Sequence, residues 1–75
     1  MNNLLKAFRL QRVYDVQYGM LESDVIALLG RRYTKRKLSN SKRQLTWRTG
    51  YGVHDSKVVI ITNYGRVVSI YTYYV

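Results

Sequence analysis

The sequence contains few residues that could support catalysis. His54 is the single histidine, and it stands beside Asp55 in a glycine-containing loop. A catalytic or metal-binding histidine needs a nucleophile or a second ligand within reach, and adjacent residues rarely orient one another in this way. We therefore interpret His54 as a loop residue beside an Asp-Ser turn.

Other signals of active-site chemistry are weak. The chain has four carboxylates and no cysteine, which excludes disulfides, thiolate catalysis and zinc sites with sulfur ligands. Glu22 and Asp24 are two residues apart on a predicted helix and therefore point to different sides. The pattern Gly50-x-Gly52 lacks the third glycine and the following helix of a dinucleotide-binding loop. We predict that the protein is not an enzyme and uses no cofactor and no metal.

The strongest signal is a run of positive charge. The chain carries 13 Lys and Arg against 4 Asp and Glu, a net charge of +9. Eight basic residues and no acid lie between positions 31 and 48, so this segment carries +8 and the remainder +1. A field of this sign attracts nucleic acid, anionic lipid or an acidic protein face. The alternative is a solvated hairpin whose basic residues keep exposed strand edges from pairing with other chains.

The aromatic residues are the second signal. A core this small cannot bury all 8 tyrosines, and tyrosine is enriched at interfaces. Tyr71 and Tyr73 share one side of the last predicted strand with Val67 and Ser69, and we expect that side to be exposed. The tyrosines could instead tile the sheet through cross-strand pairs. Trp47 could stack on a base, but we predict that it anchors the core.

Hydrophobic periodicity indicates the elements that position these side chains. Residues 4–12 predict a short helix, and residues 14–18 an extended connection or short edge strand. Residues 19–30 predict the best-defined helix, because apolar residues recur at helical spacing and acids occupy the first turn. Gly30 stands where a residue of positive φ commonly ends a helix.

After Gly30 the pattern alternates as in β-strands. Residues 32–38 and 44–49 predict two strands joined by turn formers, and residues 57–62 and 67–74 predict two more joined by a tight turn. The predicted fold is α+β, a single domain over residues 1–75 with two short helices packed on one face of a three- to four-stranded antiparallel meander sheet. Two helices cannot cover both faces, so the other face should be open.

A longer pattern combines these elements: Gly19-Met20-x4-Val25-x3-Leu29-Gly30, then Trp47, then Val58-x-Ile60-x-Thr62-Asn63-x-Gly65-x-Val67-Val68. Over about residues 13–70 it resembles the SmpA/OmlA (BamE-like) family. The resemblance implies the fold of β-lactamase inhibitor protein and a protein-binding role for the uncovered sheet face. Leu21 stands where the family has a capping Thr or Ser, and the signal peptide and lipid-bearing cysteine of its envelope members are missing.

We therefore expect a non-enzymatic macromolecule-binding module, an adaptor or inhibitor that acts through a basic, tyrosine-rich sheet face. Small size and local charge suit a phage or mobile-element protein directed at a host nucleic-acid-handling protein. Direct RNA or DNA binding is an alternative, although the sequence has no RNP, helix-turn-helix or zinc-finger motif. A second alternative is an outer-membrane assembly factor without its lipid anchor.

The expected partner is a macromolecule with an acidic surface, a protein more than a nucleic acid, and not a small-molecule substrate. No apolar run reaches the roughly 18 residues of a membrane span. We expect the cytoplasm if Met1 is native, and the periplasm or outer membrane if a leader has been removed. The residues predicted to contact the partner are Arg31, Arg32, Lys35, Arg36, Lys37, Lys42, Arg43, Arg48, Tyr33, Tyr51, Tyr71 and Tyr73.

Overall fold

The fold is mostly antiparallel β-sheet. The computed structural model describes residues 11–48 and 56–73. Four strands lie side by side in the order β1-β2-β3-β4, so the sheet is a meander. The elements along the chain are a 3-10 turn (Gln11–Asp15), helix α1 (Glu22–Leu29), β1 (Thr34–Lys37), β2 (Lys42–Arg48), β3 (Lys57–Asn63) and β4 (Arg66–Tyr73).

The predicted α+β fold with two helices is wrong. The described residues contain one α-helix, α1, and the short 3-10 turn, while the sheet makes up most of the regular structure. The first predicted helix, residues 4–12, lies almost entirely outside the described residues. The segment Gln11–Asp15 forms the 3-10 turn. In such a turn, residues three apart in sequence lie above one another.

Residues 14–18 do not form the predicted extended connection or edge strand. The Val16 N–H donates to the Val13 carbonyl oxygen at 3.0 Å, which closes a turn. The turn buries Val13 and Val16 together and leaves Tyr14 and Tyr18 exposed. Burial of two valines from one short segment therefore overrides the alternating pattern of the sequence.

The core lies between one face of the sheet and the layer formed by the 3-10 turn and α1. Trp47 is 2% exposed, and its Nε1 donates to the Gly30 carbonyl oxygen at 2.8 Å. This burial confirms the prediction that Trp47 anchors the core. The hydrogen bond also ties Trp47 to the end of α1. The buried cluster consists of Val13, Val16, Val25, Leu29, Leu45, Trp47, Val58, Ile60 and Val67.

Helix α1 begins and ends where the sequence predicts. Leu21 is the N-cap and makes no side-chain cap bond; instead the Glu22 N–H donates to the Gly65 carbonyl oxygen at 2.8 Å. A turn of the sheet thus satisfies one of the unpaired donors at the helix start. At the other end Gly30 has φ 100° and its N–H donates to the Ile26 carbonyl oxygen.

The segment before α1 lies along the start of β4. The Gly19 N–H donates to the Val67 carbonyl oxygen at 2.8 Å, and the Val67 N–H donates to the Met20 carbonyl oxygen at 2.9 Å. The Tyr64 N–H donates to the Ser41 carbonyl oxygen at 2.8 Å. The helix start and both hairpin turns therefore meet at one end of the sheet.

A register shift in the last hairpin changes which residues share a face. Thr62 pairs with Val67, whereas Ile61 pairs with Ser69, so Val68 is an extra residue in β4. One inserted residue reverses the alternation. Val67 is buried in the core and Val68 is exposed. The prediction that Val67 shares a face with Ser69 and the tyrosines of β4 is therefore wrong.

The turn between β3 and β4 gives a stability prediction. Tyr64 has φ 52° and Gly65 φ 78°, as in a type I′ hairpin turn, where Asn-Gly is preferred. Tyr64 is 84% exposed, so little packing offsets its backbone strain. We expect Tyr64→Asn to raise the free energy of unfolding by about 0.5–1 kcal/mol, measured by urea denaturation followed by Trp47 fluorescence.

Gly65→Ala is the paired variant. No atom lies within 4 Å of the position that its Cβ would occupy, so any loss comes from the positive φ alone. We expect a loss of about 1 kcal/mol. A Tyr64→Asn protein no more stable than the parent would contradict the assignment of strain to this turn.

Candidate functional site

Alternation along the strands places side chains on two faces of the sheet. Leu45, Trp47, Val58 and Ile60 face the helix layer. No helix of the described residues covers the other side, which we call the open face. Its residues are assigned by the strand pairing and are Thr34, Arg36, Lys42, Gln44, Thr46, Arg48, Lys57, Val59, Ile61, Asn63, Arg66, Ser69, Tyr71 and Tyr73. The Arg66 side chain donates to the Gly19 carbonyl oxygen at 2.9 Å.

Two tyrosines and two aliphatic residues form a strip on this face. Tyr71 is 47% and Tyr73 49% exposed, whereas Val59 is 8% exposed. Val59 pairs with Tyr71, and Ile61 lies two residues further along β3. The Lys57 Nζ lies 4.8 Å from the Tyr73 ring centroid, a cation–π distance. The strip therefore combines aromatic contact area with an adjacent positive charge.

Basic side chains flank the strip. Arg36 lies on β1, Lys42 and Arg48 lie on β2, and all three are exposed. Arg48 pairs with Lys57 across β2 and β3. Three predicted cations and Lys57 therefore share the face that carries Tyr71 and Tyr73.

The acidic side chains of the described residues lie on the other side of the sheet. Three carboxylates belong to the described residues: Asp15 in the 3-10 turn, and Glu22 and Asp24 in the first turn of α1. Within the described ranges the open face carries positive charge and no negative charge. An approaching anionic surface meets no like charge from the described residues of this face.

The remaining basic residues of the predicted set lie elsewhere. Lys35 pairs with Leu45, and Lys37 pairs with Arg43, so these three cations belong to the helix side of the sheet. Arg31 and Arg32 are exposed in the connection from α1 to β1. Six of the eight basic residues are therefore divided between the two sides of the β1–β2 hairpin, and the other two precede it.

Arg43 is engaged within the protein. Its Nη1 lies 3.3 Å from the Glu22 Oε2, and the Thr62 hydroxyl donates to the Glu22 Oε1 at 3.0 Å. Thr62 is fully buried, so the Glu22 carboxylate is the acceptor that satisfies its hydroxyl. This contact joins the start of α1 to the middle of the sheet.

Of the predicted contact tyrosines, Tyr33 does not lie on the open face, and Tyr51 is not described. Tyr33 is half-buried, and its ring centroid lies 5.1 Å from that of Trp47, so it packs at the margin of the core. Tyr51 lies outside the described residues, as do His54 and Asp55. Among the residues that are described, no three His, Asp or Glu side chains come together as a metal site would require.

Sequence reasoning missed Lys57, Val59 and Ile61 as members of the site. They alternate along β3, but their neighbours Val58 and Ile60 are also apolar, so the strand reads as one buried run. The register with β4 assigns them to the face of Tyr71 and Tyr73. Lys57 at the start of this run is the one residue whose type indicates that β3 has a face turned away from the core.

The chain matches no model of a known protein family, no curated protein and no solved structure. The resemblance to the SmpA/OmlA family stays a prediction. In the described part of the chain, every helix is too short or too polar to cross a membrane. The function proposed below therefore depends on the geometry of the open face.

The contacts of Glu22 give a second stability prediction. Glu22→Ala removes the acceptor of the buried Thr62 hydroxyl and should lower the free energy of unfolding by about 1–2 kcal/mol. Arg43→Ala removes a half-exposed ion pair and should cost at most about 1 kcal/mol. Urea denaturation measures both.

Asp24→Ala is the matched control, because Asp24 is an exposed acid in the same helical turn. Its loss should be limited to the helix-dipole contribution, about 0.3–1 kcal/mol. Equal losses for Glu22→Ala and Arg43→Ala would show that the ion pair, and not the Thr62 hydrogen bond, is the dominant contact.

Proposed function

We propose that this chain is a non-enzymatic binding module, an adaptor or inhibitor that docks an acidic protein surface on the open face. The observation that carries the proposal is the arrangement on the face that no described helix covers: Tyr71 and Tyr73 are half-exposed beside a small apolar strip, and Lys57 and Arg48 continue the row of Tyr73 across β3 and β2. Arg36 and Lys42 lie further along the same face, on β1 and β2.

The apolar strip favours a protein partner. Protein interfaces combine a desolvated centre, rich in Tyr and Arg, with a polar rim. Ile61 and the rings of Tyr71 and Tyr73 supply such a centre, and the cations supply the rim. A phosphate backbone would use the cations but would gain little from an aliphatic side chain. The positive face would also speed encounter with an acidic partner.

The proposed targets and origin come from the sequence alone. A phage or mobile-element origin, with a host nucleic-acid-handling protein as target, suits the small size and the local charge. A role as an envelope assembly factor depends on the family resemblance. Both are separate from the proposal that the open face binds protein.

The test compares two double variants of the full chain. Tyr71→Ala with Tyr73→Ala removes the aromatic contact area of the open face. The matched control removes two exposed tyrosines elsewhere, Tyr18→Ala with Tyr64→Ala. Tagged proteins are used to recover partners from native cells with and without nuclease treatment, and the affinity for each recovered protein is then measured.

We expect to recover the same partner with and without nuclease treatment. It should bind the Tyr71 and Tyr73 double variant at least about 30-fold more weakly than the parent protein, since the loss of an interface hot spot costs more than about 2 kcal/mol. The control variant should bind within about twofold of the parent. Equal affinity of the two double variants would contradict the proposal.

Direct nucleic-acid binding is the second candidate. The observation in its favour is the position of Tyr71 and Tyr73 two residues apart on one strand, next to Lys57, because single-stranded nucleic acids stack on such aromatic side chains. Titration with single-stranded RNA and DNA at two salt concentrations tests it. Phosphate binding requires a steep loss of affinity with salt, and no binding at low salt would exclude it.

A further inference from the structure

Strand β1 lies at the edge of the sheet. Among the described residues its one neighbouring strand is β2, and all four residues of β1 are exposed. An edge strand presents backbone N–H and C=O groups on which an extended chain can pair. This edge is separate from the aromatic strip, which lies on β3 and β4.

The hairpin shows which backbone groups of β1 face outward. The Leu38 N–H donates to the Lys42 carbonyl oxygen at 2.9 Å, so the backbone of Leu38 faces β2. Backbone groups of successive residues point to opposite sides of an antiparallel strand. Thr34 and Arg36 therefore face β2, and the N–H and C=O of Lys35 and Lys37 face away from the sheet.

The side chains of β1 place cations on both faces at consecutive positions. Arg36 pairs with Gln44 and belongs to the open face, whereas Lys35 and Lys37 belong to the helix side. A strand laid along β1 would meet a positive charge on alternating sides at three successive residues. The Glu22 carboxylate, which contacts this hairpin, is bonded to Arg43 and Thr62.

This pattern discriminates between possible occupants. A second copy of β1 would bring cations opposite cations, which destabilises cross-strand pairs, whereas an acidic strand would bring opposite charges together. The basic edge thus opposes self-pairing and admits an acidic chain. Nucleic acid fits less well, because its phosphate oxygens would face the outward carbonyl oxygens of Lys35 and Lys37 without a donor for them.

We propose that the outer edge of β1 binds an extended acidic peptide segment by strand addition. The peptide backbone pairs with the outward N–H and C=O groups of Lys35 and Lys37, and consecutive carboxylates meet Lys35, Arg36 and Lys37 on alternating faces. The site goes beyond the function proposed for the open face. Arg36 belongs to both surfaces, but Lys35 and Lys37, whose backbone groups pair with the peptide, lie on the other side of the sheet.

The probe is a blocked peptide of about seven residues, the length of an ordinary strand, with three consecutive glutamates between β-branched residues. Binding to the full chain is measured by calorimetry and by amide shifts of β1. Lys35→Pro removes the charge and the outward N–H, a change that edge strands tolerate. Lys35→Gln removes the charge alone and is the matched control.

We expect Lys35→Gln to weaken peptide binding two- to fivefold and Lys35→Pro to weaken it at least tenfold beyond Lys35→Gln. Reversal of both charges, Lys35→Glu with Lys37→Glu, should abolish binding of the glutamate peptide. The same variant should gain binding of a peptide with lysines in place of the glutamates. This exchange decides the question even if Lys35→Pro fails to fold.

Three results would overturn the proposal. The first is equal binding of the same peptide N-methylated at every backbone nitrogen, which leaves no N–H on either edge to form the ladder. The second is loss of peptide binding in the Tyr71→Ala, Tyr73→Ala variant with no effect of the β1 variants. The third is an oligo-uridylate that competes with the peptide and binds more tightly, which would assign the edge to nucleic acid. If peptide binding at β1 is disproved, the affinity of the open face for its own partner is unaffected. Each proposal can therefore fail without the other.

Discussion

The structure depends on the attachment of the start of α1 to the last hairpin. The Glu22 N–H bonds to the turn at Gly65, and the Glu22 carboxylate bonds to Thr62 and Arg43. A chain of this length can build one thin core, and this attachment fixes the helix layer on one face of the sheet. Among the described residues no helix covers the opposite face, which is therefore open to solvent or to a partner. The types of residue on that face consequently bear on function.

Local signals predicted much of the fold. The start and stop of α1, the inward position of Leu45 and Trp47, and the turn at Gly65 are each determined by residues close together in sequence. The errors have non-local causes. The pair Val13 and Val16 turns inward because the sheet offers them a core. The extra residue Val68 changes the alternation of β4, and its place is set by pairing with β3.

The sequence predicted the residue types of the candidate site better than it predicted their positions on the sheet. Exposure of Tyr71 and Tyr73 is expected from the excess of tyrosine over core volume, and the structure places both half-exposed on the open face. The basic run reads as one feature in sequence, but adjacent strand residues such as Lys35 and Arg36 point to opposite faces. Lys57 joins the tyrosines through the strand register, which sequence alone does not contain.

The hydrogen bond from the Glu22 N–H to Gly65 also bears on the order in which the chain can fold. A helix of eight residues is too short to be stable alone. Its first backbone donor and its carboxylate oxygen Oε1 find their partners about 40 residues later in the chain, in the last turn and in β3. During synthesis α1 leaves the ribosome long before those partners exist. The helix therefore becomes stable only when the C-terminal hairpin has emerged, so nearly the whole chain must be present before the domain can form.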